Sequence, residues 1–448
     1  MDLLVIDWSA IFANIGQFIL AFSILVVLHE LGHFLPAKWF GCRVDKFYLF
    51  FNPWFSLWKK KIGETEYGLG WVPLGGYVKI AGMIDESMDK EQMNEPAQPY
   101  EFRSKPAWQR LIIMLGGVTV NFILALVLFA MILFVWGEER LPVKNMTYGL
   151  SVDSLAQSAG LRDGDIVTAV NNKPVVYYNE IAKGIVFNER VNLTVNRDGR
   201  DTNILLPKGF LSNLTKNQRS AFLYPRYPVI VEKDNEVKYV EGKMQPGDRI
   251  VGVNGTPVNY MDEYLDVKKD LKNAVIQLNL LRGSDTVHVK VKTLENSATG
   301  LGTKEALKIL GTDKKEYTFF ESIPAGINYG IDKLGEYMTG IRLLFTSKEH
   351  KVSDNLGSVI SIGKTFGGTW DWYRFWTMTA LFSIILAFMN ILPIPALDGG
   401  HALFTIYEMI TGRKPSDKFM EYAQMVGMVL LLGLMLYAFG LDIWRMFR

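Results

Sequence analysis

At 448 residues the chain is long enough for about three units of ordinary domain size. Its 49% hydrophobic content is high for a water-soluble protein, so part of it is expected in a membrane. A formal charge of +2, with no block of lysine and arginine interleaved with aromatics, excludes nucleic acid as a partner; Cys42, the only cysteine, excludes an intrachain disulfide and any CxxC metal site.

The first apolar run extends from about Ser9 to Phe40, with no charged residue between Asp7 and His29. A helix that is apolar all round belongs in lipid. The positive flank and small-residue cleavage site of a signal peptide are missing, so the segment is read as retained. Near its end stands His29-Glu30-Leu31-Gly32-His33. On a helix, His29 and His33 lie one above the other and can direct two imidazole nitrogens at one zinc ion, with Glu30 beside the metal but not a ligand. A carboxylate so placed can take the proton of a metal-activated water as it attacks a peptide carbonyl, which is what a metalloprotease requires. Titratable groups in a membrane helix cost roughly 2.5 to 3.5 kcal/mol each on insertion scales, so three in one turn call for a function. Lys38, Arg43, Lys46, Lys59, Lys60 and Lys61 lie at or beyond the end of the span, whereas only Asp2 and Asp7 precede it. That asymmetry sets the N-terminus outside and the HELGH turn toward the cytoplasm.

Alternation through Thr65, Tyr67, Leu69 and Trp71, followed by Pro73-Leu74-Gly75-Gly76-Tyr77-Val78-Lys79, predicts one or more short hairpins between Glu64 and Ile80. A strand edge there, at Gly75, Gly76 and Tyr77, could hold a substrate extended by main-chain hydrogen bonds; a purely structural loop is the alternative. Residues 84 to 106, with Asp85, Glu86, Asp89, Lys90, Glu91 and Glu95, read as a cytoplasmic loop. The second span, Leu111 to Trp136, carries no charge and is flanked by Trp108 and Trp136. Gly116-Gly117 permits close helix packing, and Asn121 reads as an interhelical hydrogen-bond partner.

The long segment that follows contains an internal repeat. Gly164-Asp165-Ile166-Val167-Thr168-Ala169-Val170-Asn171-Asn172-Lys173-Pro174-Val175 aligns with residues 247 to 258 at a constant offset of 83, with six of twelve positions identical. Each copy reads as a turn, a buried strand and a tight Asn-centred turn, and resembles the circularly permuted PDZ signature. Such modules either capture an extended chain by strand addition or act as a size barrier. From Thr318 to Phe345 an amphipathic segment with Lys333, Glu336 and Arg342 is too charged to span and suits the outer membrane interface. Trp370 to Leu392 forms the third span. It runs into Asn390-Ile391-Leu392-Pro393-Ile394-Pro395-Ala396-Leu397-Asp398-Gly399-Gly400-His401, where two prolines and two glycines must break a helix. Irregular backbone at membrane depth is tolerated where it lines a cavity. A catalytic zinc needs a third protein ligand, which Asp398 or His401 could supply. The fourth span follows from about Tyr422 to Trp444.

HELGH in the first span, the Pro-Leu-Gly-Gly-Tyr-Val-Lys stretch, the tandem repeats and Asn-x-x-Pro-x-Pro-x-Leu-Asp-Gly-Gly-His together resemble the site-2 protease family of intramembrane zinc metalloproteases in its bacterial RseP-like form, over nearly the whole chain. The resemblance implies Zn2+ as cofactor, bound by His29, His33 and Asp398, with Glu30 as general base and Asn390 helping to hold the substrate or its oxyanion. It favours Asp398 over His401, which is left a supporting role. It implies a polytopic α-helical membrane protein with four transmembrane helices, membrane-associated β-hairpins and two inserted PDZ-like α+β domains on the periplasmic side. The expected domains are 1–142 (two spans and the β region), 143–225 and 226–295 (PDZ-like), 296–369 (linker and interfacial helix) and 370–448 (two spans). The expected partners are single-span membrane proteins already cut outside the membrane, such as anti-sigma factors, together with peptide ligands of the PDZ-like domains and the lipid bilayer. The expected location is the bacterial inner membrane, with both termini periplasmic. Two positions depart from the family pattern: Gly117-Val118 and Gly357-Ser358-Val359 stand where Gly-Pro is usual. The competing reading is a PDZ-bearing membrane scaffold with a non-catalytic metal site.

Overall fold

The structure, a computed structural model, describes residues 8–83, 96–216, 222–234, 237–347 and 357–446. Asp2, Asp7 and the acidic stretch from Asp85 to Glu95 lie outside them. The chain divides into two compact units, one of residues 1–137, 316–339 and 356–448 and the other of residues 138–315 and 340–355.

The first unit opens with helix α1, Trp8–Trp39, whose run of Ile, Leu, Val and Phe carries the HELGH turn in its second half. Gly41, at a positive φ of 68°, turns the chain out of the helix and into a four-stranded sheet: β1 (Val44–Phe51), β2 (Trp58–Ile62), β3 (Thr65–Leu69) and β4 (Val72–Ile80). The strand order is β2-β3-β1-β4, with β1 parallel to β3 and antiparallel to β4. The hairpin expected between Glu64 and Ile80 does not form as such: β3 and β4 lie on opposite sides of β1, and β3 instead makes its hairpin with β2, which begins at Trp58. Strand β4, which carries Gly75, Gly76 and Tyr77, is an edge strand of the sheet.

Helix α2, Ala107–Trp136, packs on α1 at a glycine contact: a Cβ on Gly32 would collide with the Gly116 carbonyl, and one on Gly116 with that of Gly32. The two backbones meet because neither carries a side chain there. Helix α3 is Phe319–Thr346, the amphipathic segment expected from the sequence. Phe319 meets Phe134, Gly326 lies against Ala130, Tyr329 meets Phe129, and Tyr337 reaches Phe388. The first three of these partners, Phe134, Ala130 and Phe129, lie on α2; Lys333 pairs with Glu336 at 2.8 Å and sits over the ring of Tyr329. After the short α4 (Val359–Lys364), α5 (Trp372–Ile391) stops at Pro393-Ile394-Pro395. A further helix, α6 (Asp398–Thr411), which the sequence reading passed over, precedes α7 (Asp417–Met446). Among the described residues, four helices are long and apolar enough to cross a bilayer, Trp8–Trp39, Ala107–Trp136, Trp372–Ile391 and Lys418–Arg445, and the chain is a polytopic membrane protein.

The second unit holds two hydrophobic cores, one between Leu141 and Leu223 and one between Val229 and Val291. The sequence repeat is also a repeat of hydrogen bonds. Asp165 accepts two from Arg197 and one from the Arg162 amide; Asp248 accepts two from Arg282 and one from the Gln245 amide. Asn171 caps the Asn192 amide through its side chain as Asn254 caps that of Gln277. Pairing in the second copy continues to Leu301–Thr303 against Val231–Asp234, beyond the expected limit at 295. The two ends of the unit meet: Glu138–Arg140 pairs with Asp313–Lys315 in a two-stranded ribbon.

Candidate metal centre

The HELGH turn lies within α1, so the helical repeat stacks His29 over His33, their rings 4.8 Å apart. Both imidazoles are nearly buried, at 9% and 7% exposure. Asp398 arrives from the other end of the chain as the first residue of α6. Three features of its approach are local. Pro393 and Pro395 end α5; Ala396 adopts a positive φ of 79°, a strained conformation for a residue with a Cβ; and a carboxylate at a helix N-terminus is favoured by the helix dipole.

Asp398 Oδ2 lies 3.3 Å from His29 Nε2 and 3.3 Å from His33 Nε2, and the two Nε2 atoms are 3.3 Å apart. Ligand atoms at about 2.1 Å from a tetrahedral zinc are separated by about 3.4 Å, so the triangle has the edge length such a site requires. Asp398 Oδ2 is buried without a hydrogen-bond partner. A carboxylate oxygen so placed needs a cation or a donor. Among the described residues these three form the group that could hold a metal ion. His401 stands apart, its Nε2 3.1 Å from the Gln424 amide nitrogen.

Helix α2 supplies the wall behind the imidazoles. His33 Nδ1 donates to the Ile113 carbonyl at 2.8 Å, which leaves Nε2 bare toward the triangle. A Cβ on Gly117 would strike both rings. The Asn121 amide nitrogen lies 3.2 Å from His29 Nδ1, while its Oδ1 is buried without a partner. Ile113 is not singled out by the sequence, and Gly117 reads there only as a place of close helix packing; the i, i+4, i+8 row they form with Asn121 is the signal that could have placed both at the imidazoles.

A cavity of about 490 Å³ opens beside the triangle, lined by Glu30, Asn390, Gly76, Tyr77 and the apolar Val78, Ile80, Met83 and Met114, among others. Asn390 Nδ2 lies 3.3 Å from His29 Nε2. Strand β4 comes close because Gly76 has no side chain: a Cβ there would collide with Val26 and the Tyr48 carbonyl and lie 3.5 Å from Glu30 Cγ. Tyr77 anchors the strand, stacked on Tyr48 at 5.3 Å and donating to Asn52 Oδ1 at 2.9 Å. Gly75 faces the ring of Phe51.

The sequence model of peptidase family M50 matches residues 17–434. The regulator of sigma E protease of Haemophilus influenzae is 26% identical, over 97% of this chain and 99% of its own length. Metalloprotease MmpA of Caulobacter vibrioides is 27% identical over 94% and 93%. A protein of Treponema pallidum provisionally named a zinc metalloprotease is 26% identical over 96% and 98%.

Proposed function

Since the chain belongs to peptidase family M50 and is a zinc metalloprotease of the site-2 type, we propose that His29, His33 and Asp398 hold its zinc and that Glu30 is its general base. The observation that carries this reading is the 3.3 Å triangle with its unpartnered carboxylate oxygen. When bound there, zinc supplies Lewis acidity, polarising a peptide carbonyl and making water acidic enough to attack near neutral pH. Glu30 accepts the proton of the attacking water on its carboxylate and passes it to the departing amine. Asn390 offers its amide N–H to the oxygen that gains charge during the attack. As the terminal strand of its sheet, β4 holds the cleaved segment extended, since a peptide bond inside an intact helix is shielded. Gly76 brings that edge beside Glu30.

The substrate is a single-span membrane protein cut within its membrane segment after an earlier cleavage outside, in the manner of an anti-sigma factor; the Haemophilus relative's name supports this. The enzyme sits in the bacterial inner membrane with its PDZ-like pair, residues 143–225 and 226–295, in the periplasm. The second copy has room for a peptide: a cavity of about 520 Å³ lies between Met261–Lys268 and the strand at Leu301. At the position in the first copy that matches Met261, the Tyr178 hydroxyl donates across to the Leu223 carbonyl at 2.6 Å. A scaffold with a structural metal would want four protein donors, and the group described has three.

The test compares the full chain with Glu30→Gln on a single-span substrate in detergent. The variant should retain zinc and lose at least about 10²-fold in cleavage. Undiminished cleavage would remove Glu30 from its role.

A further inference from the structure

We infer that Asn121 is a positioning residue for the metal centre: its amide oxygen accepts a proton from His29 Nδ1 and thereby holds the His29 ring in the form that presents a bare Nε2. This rests on the proposed zinc site. A histidine binds a metal through an unprotonated nitrogen, so a ligand using Nε2 must carry its proton on Nδ1. For His33 the arrangement is unambiguous, because its Nδ1 faces a backbone carbonyl that can only accept. His29 points Nε2 into the same triangle, and its Nδ1 therefore also needs an acceptor.

The group facing His29 Nδ1 is the Asn121 amide, fully buried, at 3.2 Å. As oriented, it presents its nitrogen, and two donors would then face one another across that distance. A half-turn of the amide exchanges nitrogen and oxygen with almost no change of shape. Either orientation leaves one amide atom without a partner, since Oδ1 has none now. The balance is therefore set by His29, and only the oxygen-facing orientation leaves Nε2 free. Asn121 is itself held, because Ser383 donates to its backbone carbonyl at 2.7 Å. Helix α2 thus meets the two imidazoles with two acceptors along one face, a main-chain carbonyl at 113 and a side-chain carbonyl at 121, with Gly117 between them clearing space for the rings.

The experiment measures the zinc affinity of the purified full chain by chelator competition, together with its melting temperature in the absence of zinc. Asn121→Leu, close in shape but without an acceptor, should weaken zinc binding by about 10- to 100-fold. Asn121→Asp, an acceptor that cannot donate when ionised, should hold the wild-type affinity. The metal-free melting temperatures of the two variants should match. Wild-type affinity in Asn121→Leu would overturn the inference, as would a loss in Asn121→Asp, the outcome expected if Asn121 were a donor. Should Asn121→Leu fail to fold, Asn121→Asp alone still separates the two orientations. A wild-type chain that binds no zinc would instead sink the zinc reading itself.

Discussion

At Gly117 the difference between a hydrogen atom and a methyl group decides whether two imidazole rings can lie against α2. Gly117→Ala should therefore weaken zinc binding while leaving the chain folded, measurable as zinc content after purification. His33→Ala should lose the metal as well, since it removes one of three donors and leaves the Ile113 carbonyl without its partner. The family pattern places proline after this glycine, and here Val118 follows it. The glycine, not its neighbour, touches the rings. His29, Glu30 and His33 stand out in the sequence as a candidate site because three titratable groups in an apolar helix have no cheap structural explanation. Asp398 and His401 were not separable by spacing, because which of them reaches the triangle depends on the backbone turn at Ala396. Asn121 read as a helix-to-helix hydrogen bond, and it is one; that its partner is His29 could not be read from a single helix.

Among the elements, β4 joins the substrate question to the metal question. Gly76→Val should push the strand away from Val26 and Glu30 and lower cleavage without lowering zinc content, because Gly76 lies outside the donor triangle. Equal loss of both would mean that the sheet supports the metal centre rather than the substrate. Strands β1 and β2 escaped the sequence reading for physical reasons. Val44-Asp45-Lys46-Phe47 does not alternate cleanly, and Lys59-Lys60-Lys61 on fully exposed β2 looks like the charge that follows any membrane span. Helix α3 stands out in the sequence by its charges, whereas Gly326 and Gly330, small enough to admit Ala130, Leu126 and Phe129 of α2, do not. In the second unit the repeated aspartate–arginine pair makes a pH prediction. Hydrogen bonds from Arg282 hold the Asp248 carboxyl below the usual carboxylate range. A group with its proton affinity lowered by folding stabilises the fold above its ordinary range and ceases to do so as pH falls through the lowered value. Asp248→Asn should lower the melting temperature at neutral pH and flatten its decline in acid.

Across the whole molecule, donors from residues 29, 33 and 398 converge, so a metal bound there joins α1 to α6 across most of the sequence. A ligand that binds only the folded state stabilises it by about 4 kcal/mol at a thousand times its dissociation constant. Zinc should accordingly raise the melting transition of the unit that contains the triangle. The transition of the unit with the two separate cores should not move, and calorimetry with and without chelator distinguishes the two. The polytopic architecture was readable from hydropathy and the duplication from its offset of 83, whereas the sharing of α3 between the two units was not. The ribbon of Glu138–Arg140 and Asp313–Lys315 carries one more consequence. A loop whose entrance and exit run side by side behaves as a cassette: any foreign domain with adjacent termini could be spliced onto that stem, and chimaeras of this kind would reveal what the native insert discriminates.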